Sequence, residues 1–244
     1  MKYSQIPFYR VFISTSLKTF RVVYKETDLQ VLAEKELISE TLYIVRNIRT
    51  PLEAYILKNP NFLKAKKPLP MDKTAPSIVK SMLKAGIIAG VGPMASVAGA
   101  IAEYVGKTLI EKGYTSQVAI ENGGDIYLAL SKTAKVALFA GDSPFSCKLA
   151  LVINTDLMPC GVCTSSGKIG HSLSFGKADA ITVIHKNAAI ADALATSFGN
   201  ILKSSQDFKK VISKAEKISG LLGIISILND KLFIWGKNIK VEPV

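Results

Sequence analysis

The chain reads as an α+β fold built mainly of antiparallel sheet. Three observations carry that reading. Short β-type runs are joined by turn residues at hairpin spacing, amphipathic helices stand between them, and helices do not alternate one for one with strands as a doubly wound parallel sheet requires. At 244 residues the chain is long enough for one sizeable core, and it is read as a single domain over residues 1–244.

The elements follow in order. Residues 8–33 alternate apolar and polar side chains over short runs, which predicts an antiparallel meander. Residues 35–57 carry Ile38, Leu42, Val45 and Ile48 at helical spacing, and Pro51 is expected to end one helix and open another. Residues 58–73 hold five lysines and three prolines without periodicity, so an exposed segment is expected, a solvated loop or a basic lid. Residues 77–205 contain the unusual motifs. There, Ala85–Ala102 runs for 18 residues without a charge. Pro93 and its neighbouring glycines break it as a membrane span, and a strand or loop, a glycine turn and a buried helix from Pro93 to about Lys112 are expected instead. Strands are expected over 117–121, 126–130, 135–140, 149–154 and 181–185, and a helix over 188–203. Residues 206–244 contribute a C-terminal helix and a hairpin around Asn229-Asp230.

Composition excludes several classes. Hydrophobic residues make up 48% and charged residues 20%, which rules out disorder over most of the chain. Three cysteines do not make a disulfide scaffold, and two histidines leave little for a histidine-rich metal site. The N-terminus lacks the apolar run of a secretory signal, so a cytoplasmic protein is expected. A net charge of +12 favours anionic partners. No aromatic platform motif or basic helix accompanies it, so an anionic small-molecule nucleotide is expected rather than nucleic acid or membrane.

Four segments concentrate chemistry. Gly90-Val91-Gly92-Pro93-Met94-Ala95-Ser96 opens a helix, where free amides suit an anion, or else its glycines serve packing. Glu121-Asn122-Gly123-Gly124-Asp125 places three acceptor side chains around a glycine bend between strands, a polar turn or a ligand contact. Residues 160–172 cluster Cys160, Cys163, Thr164, Ser165, Ser166, Gly167 and His171, and the C-x-x-C spacing admits a redox pair or half a zinc site. On the helix after Asn187, Asp192 and Thr196 lie one turn apart on one face of a small-residue helix, a pairing that suits Mg²⁺. Ala95, Gly99, Ala102 and Gly106 leave one helix face nearly bare, open to close packing within the chain or in a homo-oligomer.

Taken in order, GVGPMASVAGAIAE, ENGGDIYL, GVCTSSGKIGHSLSFGKADAITVI and ADALATSFGN resemble the ApbE-like superfamily of FAD:protein FMN transferase relatives, most closely its short, uncharacterised branch. The resemblance covers about residues 77–205 and implies an α+β, T-fold-like architecture. It implies that Asp192 and Thr196 hold Mg²⁺, with a backbone carbonyl near Ala95 as third ligand. It further implies that Gly92, Met94, Glu121, Gly123, Gly124, Asp125, Thr164, Ser165, Ser166 and Gly167 line a pocket for FAD or a related flavin nucleotide. Asp192, Thr196 and His171 are the candidate catalytic residues, and an acceptor protein would receive the transferred group.

Two departures stand out. Val97-Ala98-Gly99 replaces the Ala-Lys-Gly of the transferases, and after His171 the Asp-Pro-x-Thr-Gly stretch is missing. An FMN-type transferase and a non-transferase binding or accessory protein, with a thiol role for Cys160 and Cys163, therefore stand as alternatives.

Overall fold

The computed structural model describes residues 16–166 and 178–244. The expected strand around residues 9–13, Gly167 and His171 lie outside the described residues.

Eight strands form one antiparallel sheet in the order β1-β2-β3-β4-β7-β8-β9-β10. They are β1 (Lys18–Tyr24), β2 (Thr27–Ala33), β3 (Val118–Asn122), β4 (Asp125–Ala129), β7 (Cys160–Ser165), β8 (Ala180–His185), β9 (Leu221–Leu228) and β10 (Lys231–Gly236). A second antiparallel sheet, ordered β11-β6-β5, joins β5 (Ala134–Ala137), β6 (Leu149–Ile153) and β11 (Lys240–Pro243). The helices are α1 (Ile38–Lys58), α2 (Pro60–Lys64), α3 (Ser77–Ala89), α4 (Val97–Glu111), α5 (Ala188–Ile201) and α6 (Phe208–Ala215).

The pleat sorts side chains between two cores. Val118, Ile120, Tyr127, Cys163, Ile181 and Val183 pack among the helices. Ala119, Leu128, Cys160, Val162, Ala180 and Ile184 pack with Leu151 and Ile153 of the smaller sheet. Both faces of the central strands are thus covered, and every residue of β8 is buried. This is an α+β arrangement of antiparallel sheets with helices on one face.

The structure corrects several local expectations. Pro51 does not divide the first helix: α1 runs through it, held by buried Thr41, Ile44, Val45, Ile48 and Leu52. The stretch before Gly90 is helix α3, whose buried Ile78, Val79, Met82, Leu83, Gly86 and Ala89 follow helical spacing. Residues 58–73 are largely exposed but include α2, pinned by Phe62, which is buried edge-on against Tyr55. Further along, the Lys66 carbonyl accepts from the Gly92 amide and the Asp72 carboxylate from the Tyr55 hydroxyl, so the segment is tied down without periodicity. Cys160–Ser165 forms a central strand, and Lys240–Pro243 adds one to the smaller sheet. Among the described residues no single helix is long and apolar enough to cross a membrane. The pair Ser77–Ala89 and Pro93–Glu111 passes by length and composition together but bends by 101° at the glycine–proline break.

Candidate functional site

The site gathers where the start of α4, the β3–β4 hairpin, the end of β7 and the middle of α5 meet. Close approach comes first. A Cβ on Gly99 would collide with the Ala188 carbonyl, and one on Gly161 would collide with the Ala188 Cα. Glycine at both places lets the first turn of α5 settle between α4 and β7. The hairpin needs its glycines for another reason. Gly123 and Gly124 have φ of 66° and 99°, which a two-residue hairpin turn with two positive φ values demands, and nothing crowds either one.

That packing brings Asp125 and Asp192 together. The Asp192 Oδ2 accepts a hydrogen bond from the Gly99 amide at 2.9 Å, an amide in the first turn of α4 with no partner inside its helix. Burial nevertheless pushes the Asp192 carboxyl up to about 7, against the opposing pull of the Gly99 and Ala98 amides. Asp125 is 8% exposed. Its carboxyl stands well above the usual range because it is desolvated and faces the Asp192 charge, with hydrogen bonds from Cys163 and the Thr164 amide offsetting part of that shift. The Asp125 Oδ1 has no hydrogen-bond partner.

Among the described residues, four buried side-chain oxygens lack a partner: Thr41 Oγ1, Asp125 Oδ1, Ser165 Oγ and Ser226 Oγ. Three of these lie on one face of the main sheet. Asp125 is opposite Cys163 across β4–β7, Ser165 is two residues beyond Cys163, and Ser165 and Ser226 both stand opposite Ile181. Leaving a buried polar atom unpaired costs about 1–3 kcal/mol, so such a row marks a place where polar partners belong. Thr196, one turn along α5 from Asp192, is buried with them.

Of the residues expected at the site, Asp125 and Asp192 meet, Ser165 lies on the Asp125 face of the sheet, and Thr196 is one turn along α5 from Asp192. Met94 and Ala95 lie half-buried on the 3₁₀ turn Pro93–Ser96 that leads into α4. Three expectations need correction. Gly92 does not offer open backbone to a phosphate: its amide donates to the Lys66 carbonyl at 3.0 Å, and Ala65 covers its Cα. The Thr164 side chain points to the other face, where it meets Thr182 at 2.9 Å, so this residue contributes only its amide. Glu121 turns back to accept from the Gly124 amide at 2.7 Å and serves the hairpin. Ser166 is half-exposed just past the end of β7.

The cysteine expectation also fails. Cys160 and Cys163 are three apart on a strand, so their thiols lie on opposite faces of the sheet, one in each core. Both are fully buried. Burial pushes Cys160 up to about 12, and burial with the Asp125 and Asp192 charges raises Cys163 well above the ordinary thiol value. Neither supplies a thiolate, and neither can reach the other. Ellman's reagent at pH 8 is expected to titrate one thiol per native chain, the exposed Cys147, and all three after denaturation.

Sequence reading missed Ser226, Asn122 as an anchor and Glu103. The Asn122 Nδ2 donates to the Ala98 carbonyl at 3.1 Å and ties the hairpin to α4. Glu103 is the one carboxylate in the run from Gly90 to Gly106, and that isolation was the available signal. His185 is structural: its Nδ1 accepts from the Asn187 amide at 2.8 Å, which leaves Nε2 to donate to the Ser219 carbonyl at 3.0 Å, and burial lowers its pKa.

Among the described residues no group of three or more His, Cys, Asp and Glu side chains is arranged to hold a metal. Cation binding here would therefore rest on two carboxylates together with hydroxyl and carbonyl oxygens. That oxygen-only donor set suits a hard divalent ion, and the unpartnered Asp125 Oδ1 beside a second carboxylate is the feature a cation would satisfy.

Comparison with known proteins places this geometry in a family. The family model described as AbpE bacteria matches residues 10–220. A UPF0280 protein of Methanococcus aeolicus is 47% identical over 193 residues, covering 78% of this chain and 77% of its own. A UPF0280 protein of Methanocaldococcus jannaschii is 41% identical over 223 residues, covering 89% and 90%. Among solved structures, the flavin transferase ApbE of Vibrio cholerae superposes with a TM-score of 0.60 at 12% identity, over 91% of this chain and 97% of that one. The Pseudomonas stutzeri flavinyl transferase ApbE in its apo form gives 0.60 at 14% identity, over 93% and 94%. With the antiparallel sheet, the glycine hairpin and the aspartate pair in place, the chain belongs to the AbpE family of the ApbE-like superfamily, alongside the UPF0280 proteins.

Proposed function

We infer that the protein binds a flavin nucleotide of the FAD type together with a divalent cation, Mg²⁺ by its chemistry, and transfers a phosphoryl-linked group such as FMN to an acceptor protein. The observation that carries the cation reading is the Asp125 carboxylate, buried beside Asp192 with one oxygen unpaired. The flavin part is drawn from the likeness to solved flavin transferases.

Each residue has a part in this reading. Asp192, Thr196 and Asp125 hold the cation, with the backbone near Ala95 as a further oxygen source. A bound Mg²⁺ supplies charge neutralisation and Lewis acidity at a pyrophosphate. The Gly99 amide keeps one Asp192 oxygen in place. The Thr164 amide does the same for Asp125, while the Cys163 thiol beside it donates to the Ala188 carbonyl at 3.4 Å. Ser165 presents a free hydroxyl on the same face.

A thermal melt with FAD, FMN, ATP and ADP, each with and without Mg²⁺, tests this. At about 100 times its dissociation constant a ligand adds roughly 2.7 kcal/mol, or about 5–10 °C in a chain of this size. A shift with FAD that requires Mg²⁺ is expected. No shift with any nucleotide would refute the reading.

A second reading, nucleotide binding without transfer, is favoured by Ala98, which stands where the resembling transferases carry a lysine. The two part on mass spectrometry of acceptor proteins containing exposed threonine or serine. Covalent FMN supports transfer, and an Mg²⁺-dependent melt shift with no adduct supports binding alone.

A further inference from the structure

Helices α4 and α5 cross at Gly99 and Ala188, and each hands a carboxylate to the start of the other. Asp192 of α5 accepts from the Gly99 amide of α4 at 2.9 Å. Glu103 of α4 accepts from the Ala188 amide of α5 at 2.6 Å and lies 3.4 Å from the Ala189 amide. In both helices the carboxylate sits four residues beyond the crossing residue, so the arrangement is reciprocal. The Glu103 Oε1 also accepts from the Asn187 Nδ2 at 2.8 Å, and Asn187 Oδ1 caps the Ile190 amide at 2.9 Å. Glu103 and Asn187 together thus satisfy the first three free amides of α5. Glu103 is 5% exposed, and its ion pair with Lys107 lies along its own helix.

We propose that Glu103 is a positioning residue for the cation site: by fastening the first turn of α5 to α4 it fixes where Asp192 and Thr196 stand. The physical chain is short. Without an acceptor at position 103, the Ala188 and Ala189 amides lose their partner in a buried turn. The first turn of α5 must then shift or fray. Asp192 begins the next turn, about 5.4 Å along the axis, so the displacement reaches it directly. The negative charge of Glu103 also lies at the positive end of the α5 dipole, which holds the turn in place.

The inference rests on the cation reading of Asp192 and Thr196, and the test separates the two. Mn²⁺ alone is titrated into the purified protein, free ion is read by electron paramagnetic resonance, and melting midpoints are taken in parallel. Wild type is expected to bind Mn²⁺. Glu103→Ala is expected to bind it about tenfold more weakly per folded molecule, in the range seen when groups supporting a metal ligand are removed. Glu103→Gln, which keeps an acceptor for the Ala188 amide, is expected to recover most of that loss. Leu109→Ala, a buried change at the far end of α4, should lower the midpoint but leave Mn²⁺ affinity unchanged. If wild type binds while Glu103→Ala binds as tightly and only melts earlier, Glu103 is a stability residue and the positioning role is wrong. If wild type itself takes up no Mn²⁺, the cation reading falls and this inference falls with it.

Discussion

Replacing Asp125 with asparagine is expected to stabilise the metal-free protein while abolishing its response to Mg²⁺ and FAD. The two effects have one cause. In the folded chain the Asp125 carboxyl is shut away from water, has one oxygen unpaired and sits near the Asp192 charge. At neutral pH the fold must either carry that charge uncompensated or take up a proton that the unfolded chain would not bind. Either course costs free energy, and asparagine incurs neither cost. A higher midpoint of the metal-free protein is expected, because the neutral amide removes the cost of a desolvated charge beside a second carboxylate. The same substitution removes a carboxylate from the proposed cation site, so the Mg²⁺-dependent shift with FAD should vanish. A destabilised variant that keeps its Mg²⁺ response would mean that the carboxylate serves the fold and not a ligand. The expected pattern is that of a site whose local instability is retained for function.

The second large effect is steric. Gly161→Ala should cost about 3 kcal/mol, or roughly 6–12 °C, because the new Cβ meets the backbone of Ala188 rather than the flexible end of a side chain. Neither element can yield easily. Ala188 is held at the start of α5 by Glu103, and Gly161 lies in a strand paired on both sides. Gly123→Ala makes the useful contrast. Nothing surrounds that position, so only its φ of 66° opposes a side chain, and a cost of about 1 kcal/mol is expected. Denaturant melts of the two variants would rank them. A Gly123→Ala loss as large as that of Gly161→Ala would overturn the packing account of the α5 seat.

Much of the fold was legible in the residues, for identifiable reasons. The hairpins at Gly123-Gly124 and Asn229-Asp230 announce themselves because positive φ restricts residue choice locally. Helix α5 was legible because Ile190, Leu194 and Ile201 stand at helical spacing. By contrast, β7 was obscured because its glycine and hydroxyl residues lack β-type alternation; pairing with β4 and β8 on either side makes it a strand. Pro51 misled because a lone proline was weighed without the packing that carries α1 through it. Phe62 was hidden in a lysine-rich stretch because one buried ring leaves no periodic trace.

The same division runs through the site. By itself the sequence determined the ApbE-like order of motifs, the Asp192–Thr196 spacing and the glycines that permit close approach, since each depends on identity and short-range spacing. Only the tertiary structure decided which face each residue serves. It separated Cys160 from Cys163, turned Thr164 to the opposite face from Asp125 and set Asp125 against Asp192 across 67 positions of chain. It also paired Glu103 with the start of α5, 85 residues later. Burial and charge proximity are properties of packed surfaces, and no local pattern of residues encodes them until the two helices and the sheet have closed on one another.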